Sequence, residues 1–278
     1  MERLRHDRAD HLGGGGVAAG GGRRHYRHRA IDPLDELAEI AREHGAWFHV
    51  DGAYGLIAAA SPALRPAYAD SVIVDPHKWL ATGAGCAATY VRDAGILLRA
   101  FAQGAAAYLE GSFSSGEDDA VVQFDSIGVP HMDMGVELSA PSRGVLAWAV
   151  LRELGRAGVA ARMERHIGFA RHLAQRARQH PRLELLLEPE LSIVCFRYAA
   201  SDAVNAEILV RLRRTTRSIP SSTLVAGRLA IRPCFINPHT QLADVDALVD
   251  HVTTIGDELT GTQSGMPSPR RYSPDARA

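Results

Sequence analysis

Three short apolar runs set the terms for this chain. Residues 46–50 (AWFHV), 71–74 (SVIV) and 86–91 (CAATYV) are too short for core helices and rich in β-branched and aromatic side chains. They read as buried strands. A helix precedes the first: Asp32 is placed as its N-cap and Pro33 at its first helical position, and Gly45 stops it. Leu34, Leu37, Ala38, Ile40 and Ala41 form its apolar stripe. Short apolar strands separated by helix or loop predict an α/β layer with a mostly parallel sheet. With 46% hydrophobic and 23% charged residues over 278 positions, the chain can bury the core such a layer needs.

The remainder divides by texture. Residues 1–30 carry two glycine clusters and a basic run from 23 to 29, with neither strand nor helix periodicity, and read as irregular. Residues 31–157 form the layered unit, including a Gly-, Ser- and Ala-rich connection over 101–137. Helical stretches are expected over 142–154 and 159–179, broken around Gly155 and Gly158. A second unit over 158–259 shows strands at 183–187, 192–198 and 228–234 and helices at 203–215 and 243–259, a small α+β domain. The Ser/Pro/Arg-rich residues 260–278 read as a disordered tail.

A net charge of −1, from 31 basic and 32 acidic residues, offers no broad attraction to nucleic acid or an anionic membrane. No apolar run approaches the roughly 20 residues of a membrane span, and no secretory signal pattern opens the sequence. Cys86, Cys195 and Cys234 lie far apart and lack metal-ligand spacing. The expectation is a cytoplasmic protein with no metal, no disulfide and no nucleic-acid partner.

Of the 31 basic residues only one, Lys78, is a lysine; the other 30 are arginine, which cannot form an imine. Lys78 sits in Asp75-Pro76-His77-Lys78-Trp79, directly after the 71–74 run. Asp51-Gly52-Ala53-Tyr54-Gly55 directly follows the 46–50 run. In open α/β sheets ligands bind outside the carboxyl ends of the strands, so a lysine and a carboxylate are both placed where a site forms. A lysine there can form a Schiff base with a carbonyl such as that of pyridoxal phosphate. A partner carboxylate would keep that cofactor's pyridine nitrogen protonated. His77 could contact a cofactor phosphate or a substrate carboxylate. The alternatives are structural: a turn or cap aspartate, a solvated lysine, a packed loop histidine, with Trp79 as a core anchor.

His49-Val50-Asp51-Gly52-Ala53-Tyr54-Gly55 followed by Asp75-Pro76-His77-Lys78-Trp79-Leu80 resembles the group II pyridoxal-phosphate-dependent amino acid decarboxylases. That family includes aromatic amino acid, histidine and glutamate decarboxylases. Ile31-Asp32-Pro33-Leu34 upstream, and residues 192–198 and 229–240 downstream, extend the resemblance over about 31–259. It implies part of a fold type I large domain, the fold of the pyridoxal-phosphate-dependent transferases, followed by a small C-terminal domain. The implied activity is decarboxylation of an amino acid, with pyridoxal 5′-phosphate as cofactor and a homodimer as the assembly. Position by position, it implies that Lys78 carries the cofactor, Asp51 pairs with the pyridinium nitrogen, Ala53 packs on a ring face and His77 lies near the phosphate. Arg232 matches an arginine that holds a substrate carboxylate in some members, with a surface strand arginine as the alternative. The mobile-loop tyrosine that delivers a proton in several members has no match over residues 110–143; His131 is the stand-in.

Family members generally carry roughly as much chain again before the start of the resemblance, so an N-terminally truncated chain with about half the site is expected. Arg23 to Arg29, read one base later, yields small residues and Thr or Ile in the family's order. The expectation is therefore that the residues before about Ile31 are a frame-shifted reading. Two further readings stand beside the decarboxylase. One is another pyridoxal-phosphate enzyme, an aminotransferase or desulfurase-type lyase. The other is a weakly active or non-catalytic fragment that exposes apolar surface.

Overall fold

The computed structural model describes residues 16–19, 31–60, 69–101, 134–137 and 139–261. The chain forms two compact units. Among the described residues, one unit ends at Glu164 and takes in Ile236–Pro238; the other comprises Arg165–Phe235 and resumes at His239. None of the described helices is long and apolar enough to cross a membrane, and no described cluster of His, Cys, Asp and Glu could hold a metal ion.

The first unit holds a four-stranded sheet in the order β1 (Gly16–Ala19), β2 (Trp47–Asp51), β3 (Ser71–Val74), β4 (Ala88–Val91). β1, β2 and β3 run parallel, and β4 is antiparallel to β3. A parallel β4 would need a crossover helix, and the described link from β3 to β4 contains none. β1 falls where the sequence shows no strand periodicity. Its small residues pair with β2 through the backbone (Gly16↔Trp47 to Ala19↔Val50), a pairing that carries no side-chain signature.

Helix α1 (Leu34–Glu43) lays Leu34, Leu37, Ala38 and Ala41 against Phe48, Val50 and Val72. It starts one residue later than predicted. Pro33 takes the capping position without a side-chain cap, so Asp32 is not the N-cap. Helix α2 (Gly95–Phe101) follows β4. Helix α3 (Arg143–Gln179) merges the two predicted stretches across a kink at Gly155 (φ 63°), a backbone conformation that costs glycine least. The units part within this helix.

The second unit is an antiparallel sheet in the order β5 (Leu183–Leu187), β6 (Cys195–Tyr198), β8 (Arg228–Arg232), β7 (Ser221–Val225). The last part of α3, with α4 (Asp202–Thr215) and α5 (Leu242–Thr260), builds its core from Phe169, Leu173, Phe196, Ile208, Leu212, Ile231, Val249 and Val252. β7 has no counterpart among the predicted strands. Three of its five residues are exposed, which is how an edge strand escapes an apolar-run search. Its signal is Ala226-Gly227, both at positive φ (49° and 79°), which close the β7–β8 hairpin in two residues. Tyr198 anchors this unit: its hydroxyl donates to Asp257 Oδ1 at 2.8 Å, and Arg182 pairs with the same carboxylate. Asn205 brackets the backbone of Tyr198, accepting from its N–H at 2.9 Å and donating to its carbonyl at 3.0 Å.

Candidate active site

β2 and β3 pair in parallel with Asp51 opposite Ile73, so both chains leave the sheet at the same edge. Asp51 is the last residue of β2. The turn after it is shaped by its own side chain: Asp51 Oδ1 accepts from the Ala53 N–H at 3.1 Å. That leaves Oδ2 without a protein partner among the described residues. Gly52 is required by space. A Cβ there would lie 2.6 Å from Leu56 Cβ and 2.9 Å from the Ile73 carbonyl oxygen. Ala53 and Tyr54 are buried.

The lysine loop begins one residue past β3. Asp75 donates its N–H to the Ala53 carbonyl at 3.0 Å, which carries the β2–β3 pairing on into the two loops. Asp75 in turn accepts from the Lys78 N–H at 2.9 Å, closing a turn. Its carboxylate Oδ2 stands 2.7 Å from Lys78 Nζ. His77 points its other way: Nδ1 lies 2.6 Å from the Cys86 carbonyl, which also accepts the His77 N–H at 3.2 Å. A carbonyl only accepts, so Nδ1 carries the proton and a neutral His77 keeps Nε2 as its acceptor. Nε2 lies 4.0 Å from Asp75 Oδ2, beyond hydrogen-bond reach.

Aromatic packing joins the loops. Tyr54 and Trp79 stack with ring centroids 4.8 Å apart and planes 9° from parallel, both buried. Trp79 is thus the core anchor expected of it. Arg162 on α3 donates to the Leu80 carbonyl at 3.1 Å, and Cys86 Sγ lies 3.4 Å from the Arg143 carbonyl.

Asp51, Ala53, His77 and Lys78 therefore share one sheet edge. Arg232 ends β8 in the second unit, where its guanidinium donates to Ser221 Oγ at 3.2 Å. Its Nε is buried with no partner among the described residues. It also bears on Cys195: burial pushes that thiol up, and the Arg232 charge offsets part of the rise. His131 lies outside the described residues. Sequence reasoning passed over Asp75 and Tyr54. The i, i+3 spacing of Asp75 and Lys78 was the available signal for the first, and the presence of one aromatic in each loop for the second.

The pyridoxal-dependent decarboxylase conserved domain matches residues 27–199 of this sequence. The chain belongs to this family. It is 28% identical over 251 residues to the acidic amino acid decarboxylase GADL1 of Mus musculus, covering 83% of this chain and 44% of that protein. It is 31% identical over 215 residues to tyrosine decarboxylase 2 of Arabidopsis thaliana, covering 73% and 38% respectively. Among solved structures, the Oryza sativa TDC with PLP and tryptamine superposes with a TM-score of 0.74 at 26% identity, over 87% of this chain and 50% of that one. Mouse CSAD superposes with a TM-score of 0.69 at 25% identity, over 82% and 49%. The fold is that of the pyridoxal-dependent decarboxylases, fold type I, and the chain spans half or less of the length of these relatives. The family's cofactor is pyridoxal phosphate. The residues present fit that group: a primary amine, a carboxylate with an uncommitted oxygen and an imidazole with an uncommitted nitrogen stand at one strand edge.

Proposed function

We propose that this chain acts in pyridoxal-phosphate-dependent decarboxylation of an amino acid. The observation that carries the reading is the placement of Asp51 and the chain's one lysine at the carboxyl ends of adjacent parallel strands. When bound, pyridoxal phosphate supplies an electron sink for the electron pair left behind as a carboxylate departs as CO₂. The chain's residues hold and polarise. Lys78 Nζ would supply the covalent tether, Asp51 Oδ2 would hold the protonated ring nitrogen, His77 Nε2 would serve the phosphate, and Ala53 would pack on the ring. Arg232 opposing a substrate carboxylate is carried by the resemblance alone. A homodimer in the cytoplasm belongs to the same reading.

The test is an absorbance scan with pyridoxal phosphate and a CO₂-release assay across a panel of amino acids, in the wild type and in Lys78→Ala. An imine band that disappears in Lys78→Ala, together with CO₂ release from at least one amino acid, supports the proposal. An identical spectrum in both proteins sinks it.

A second reading is favoured by one region of the structure. Over its first turns α3 exposes Val145, Leu146, Leu151 and Trp148, the last at 62%. A helix apolar on all sides is a buried helix in a complete domain. A chain that binds the cofactor yet releases no CO₂ until a packing partner covers this face would give the imine band without turnover.

A further inference from the structure

Asp75 is fixed in place and holds Lys78 by two contacts. Its N–H is tied to Ala53, its carbonyl accepts the Lys78 N–H, and its carboxylate lies 2.7 Å from Nζ. Both side chains are largely withdrawn from water, Lys78 at 27% exposure and Asp75 at 16%. We propose that Asp75 is a positioning residue that holds Lys78 as a charged ammonium before the cofactor arrives, so that aldehyde capture is gated by displacement of the Asp75 carboxylate.

The chemistry follows from the electron count. An ammonium has no lone pair. To bond to an aldehyde carbon, Nζ first loses one proton to solvent; its lone pair then forms the N–C bond, and the aldehyde oxygen leaves as water with the two protons that nitrogen gives up. A carboxylate in contact favours the charged form, and partial withdrawal from water strengthens the attraction. Asp75 cannot drift away, because its backbone is bonded on both sides. The other titratable and charged groups on the loop and the elements packed against it are His77 on the loop, Asp51 on β2 and Cys86 before β4. On α3 they are Arg143 and Arg162. Against these, the carboxylate of Asp75 stands 2.7 Å from Nζ.

The consequence for aldehyde capture rests on the function proposed above, but the measurement does not. Lys78 is the chain's only lysine, so an amine-selective reagent reports on it and on the α-amino group alone. With acetic anhydride, Nζ attacks a carbonyl carbon, the N–C bond forms, acetate leaves and a proton passes to solvent. The rate at Lys78, relative to the α-amino group, is followed by peptide mass spectrometry from pH 6 to 10. The proteins are the wild type, Asp75→Asn and Asp75→Glu.

Removing a contacting carboxylate is expected to raise the Lys78 rate at pH 7.5 about tenfold and to move the profile's midpoint about one pH unit lower. Asp75→Glu is expected to keep the wild-type profile. A merely structural Asp75 would change stability and leave the lysine profile in place; superimposable wild-type and Asp75→Asn profiles overturn the proposal. If Asp75→Asn does not fold, the wild type decides alone. Lys78 in the native chain must label more slowly at pH 7.5 than Lys78 in urea-unfolded chain at matched α-amino reactivity after correction for its exposure, and with a higher midpoint; a midpoint equal or lower overturns the proposal. Pyridoxal phosphate added to the same samples separates the two ideas. A wild type with no imine band sinks the function reading and leaves the lysine profile to judge Asp75. A normal band with an Asp75-independent profile sinks Asp75 alone.

Discussion

Gly52→Ala is the substitution that most directly couples packing to the site. Gly52 lies between Asp51 and Ala53, and its requirement is spatial. The new Cβ would stand 2.6 Å from Leu56 Cβ, 3.3 Å from Leu56 Cγ and 2.9 Å from the Ile73 carbonyl oxygen. Non-bonded carbons settle at roughly 3.5–4.0 Å, so the Leu56 contact is about 1 Å too short. Neither neighbour is the far end of a flexible chain. Ile73 is held by its pairing with Asp51, and Leu56 by its N–H bonded to the Gly52 carbonyl at 3.0 Å. Overpacking of this kind costs about 1–3 kcal/mol, and the rigidity of both neighbours puts it near the upper end. Alanine narrows the unfolded ensemble, a gain of about 0.4–1 kcal/mol, so the clash wins and a net loss of about 2 kcal/mol is expected. The relief displaces the end of β2, and a misplacement of about 1 Å can cost a hundredfold in rate. The tryptophans, Trp47, Trp79 and Trp148, all lie in the first unit, so their fluorescence during urea unfolding reads this loss without interference from the second. The cofactor imine band, read on the folded variant, is expected to weaken more than stability alone accounts for. Leu56→Ala keeps a Cβ and is expected to give no rescue, whereas Leu56→Gly removes the closer clash and recovers part of the band. A Gly52→Ala protein as stable as the wild type, with an unchanged band, refutes the reasoning.

In the second unit, Gly256→Ala sets helix propensity against space: alanine gains about 1 kcal/mol in a helix interior, but its Cβ would lie 2.3 Å from a Tyr198 ring carbon. Because Asn205 holds the Tyr198 backbone and Asp257 its hydroxyl, the clash is expected to win by up to about 2 kcal/mol; a raised melting temperature refutes it. Burial pushes His251 and His180 below the ordinary histidine value, the first opposed by Asp250 and the second reinforced by Arg182. The unfolded chain then binds more protons, so the stability these groups contribute is full above about pH 6.5 and is lost as pH falls through the folded values. Hydrogen exchange of peptides within 165–235 and 239–261 is expected to show protection declining between pH 7.5 and 5.5, less so in His251→Gln; equal protection at both pH values removes the argument. Trp148→Gln is expected to reduce binding of an apolar dye by the chain while leaving urea stability within about 0.5 kcal/mol; unchanged dye binding means the α3 face is not the exposed patch.

The strands that carry the site were legible because they are buried: β3 was predicted at the residues where it forms, and β2 within one residue. Burial writes a continuous apolar run, and a run that stops at Asp51 or Asp75 also marks the strand end where a ligand binds. β7 and β1 lack that mark, the first because most of its residues face water, the second because its pairing is through the backbone. Lys78 stood out as a candidate for a chemical reason: arginine substitutes for lysine in solvated charge but not in imine formation. Asp75 was missed because an i, i+3 ion pair needs a turn between its members. That turn exists only once the Lys78 N–H closes on the Asp75 carbonyl.

The way the lysine loop is fastened decides how cleanly its chemistry can be tested. The loop is held by groups other than the lysine side chain. The Asp75 N–H bonds to Ala53, the Cys86 carbonyl accepts from both the His77 N–H and its ring, and Trp79 is buried on Tyr54. Trp79→Ala would remove a fully buried ring and cost about 3–5 kcal/mol, so loss of cofactor in that variant would say little about mechanism. Lys78→Ala removes a side chain 27% exposed, whose ion pair with Asp75 is worth on the order of 1 kcal/mol. The fold of the loop should survive it, and the urea midpoint read by tryptophan fluorescence checks that it does. An imine band that vanishes in Lys78→Ala while the midpoint holds then reports the loss of one amine, and a midpoint that collapses would show that the lysine, against this accounting, is part of the structure.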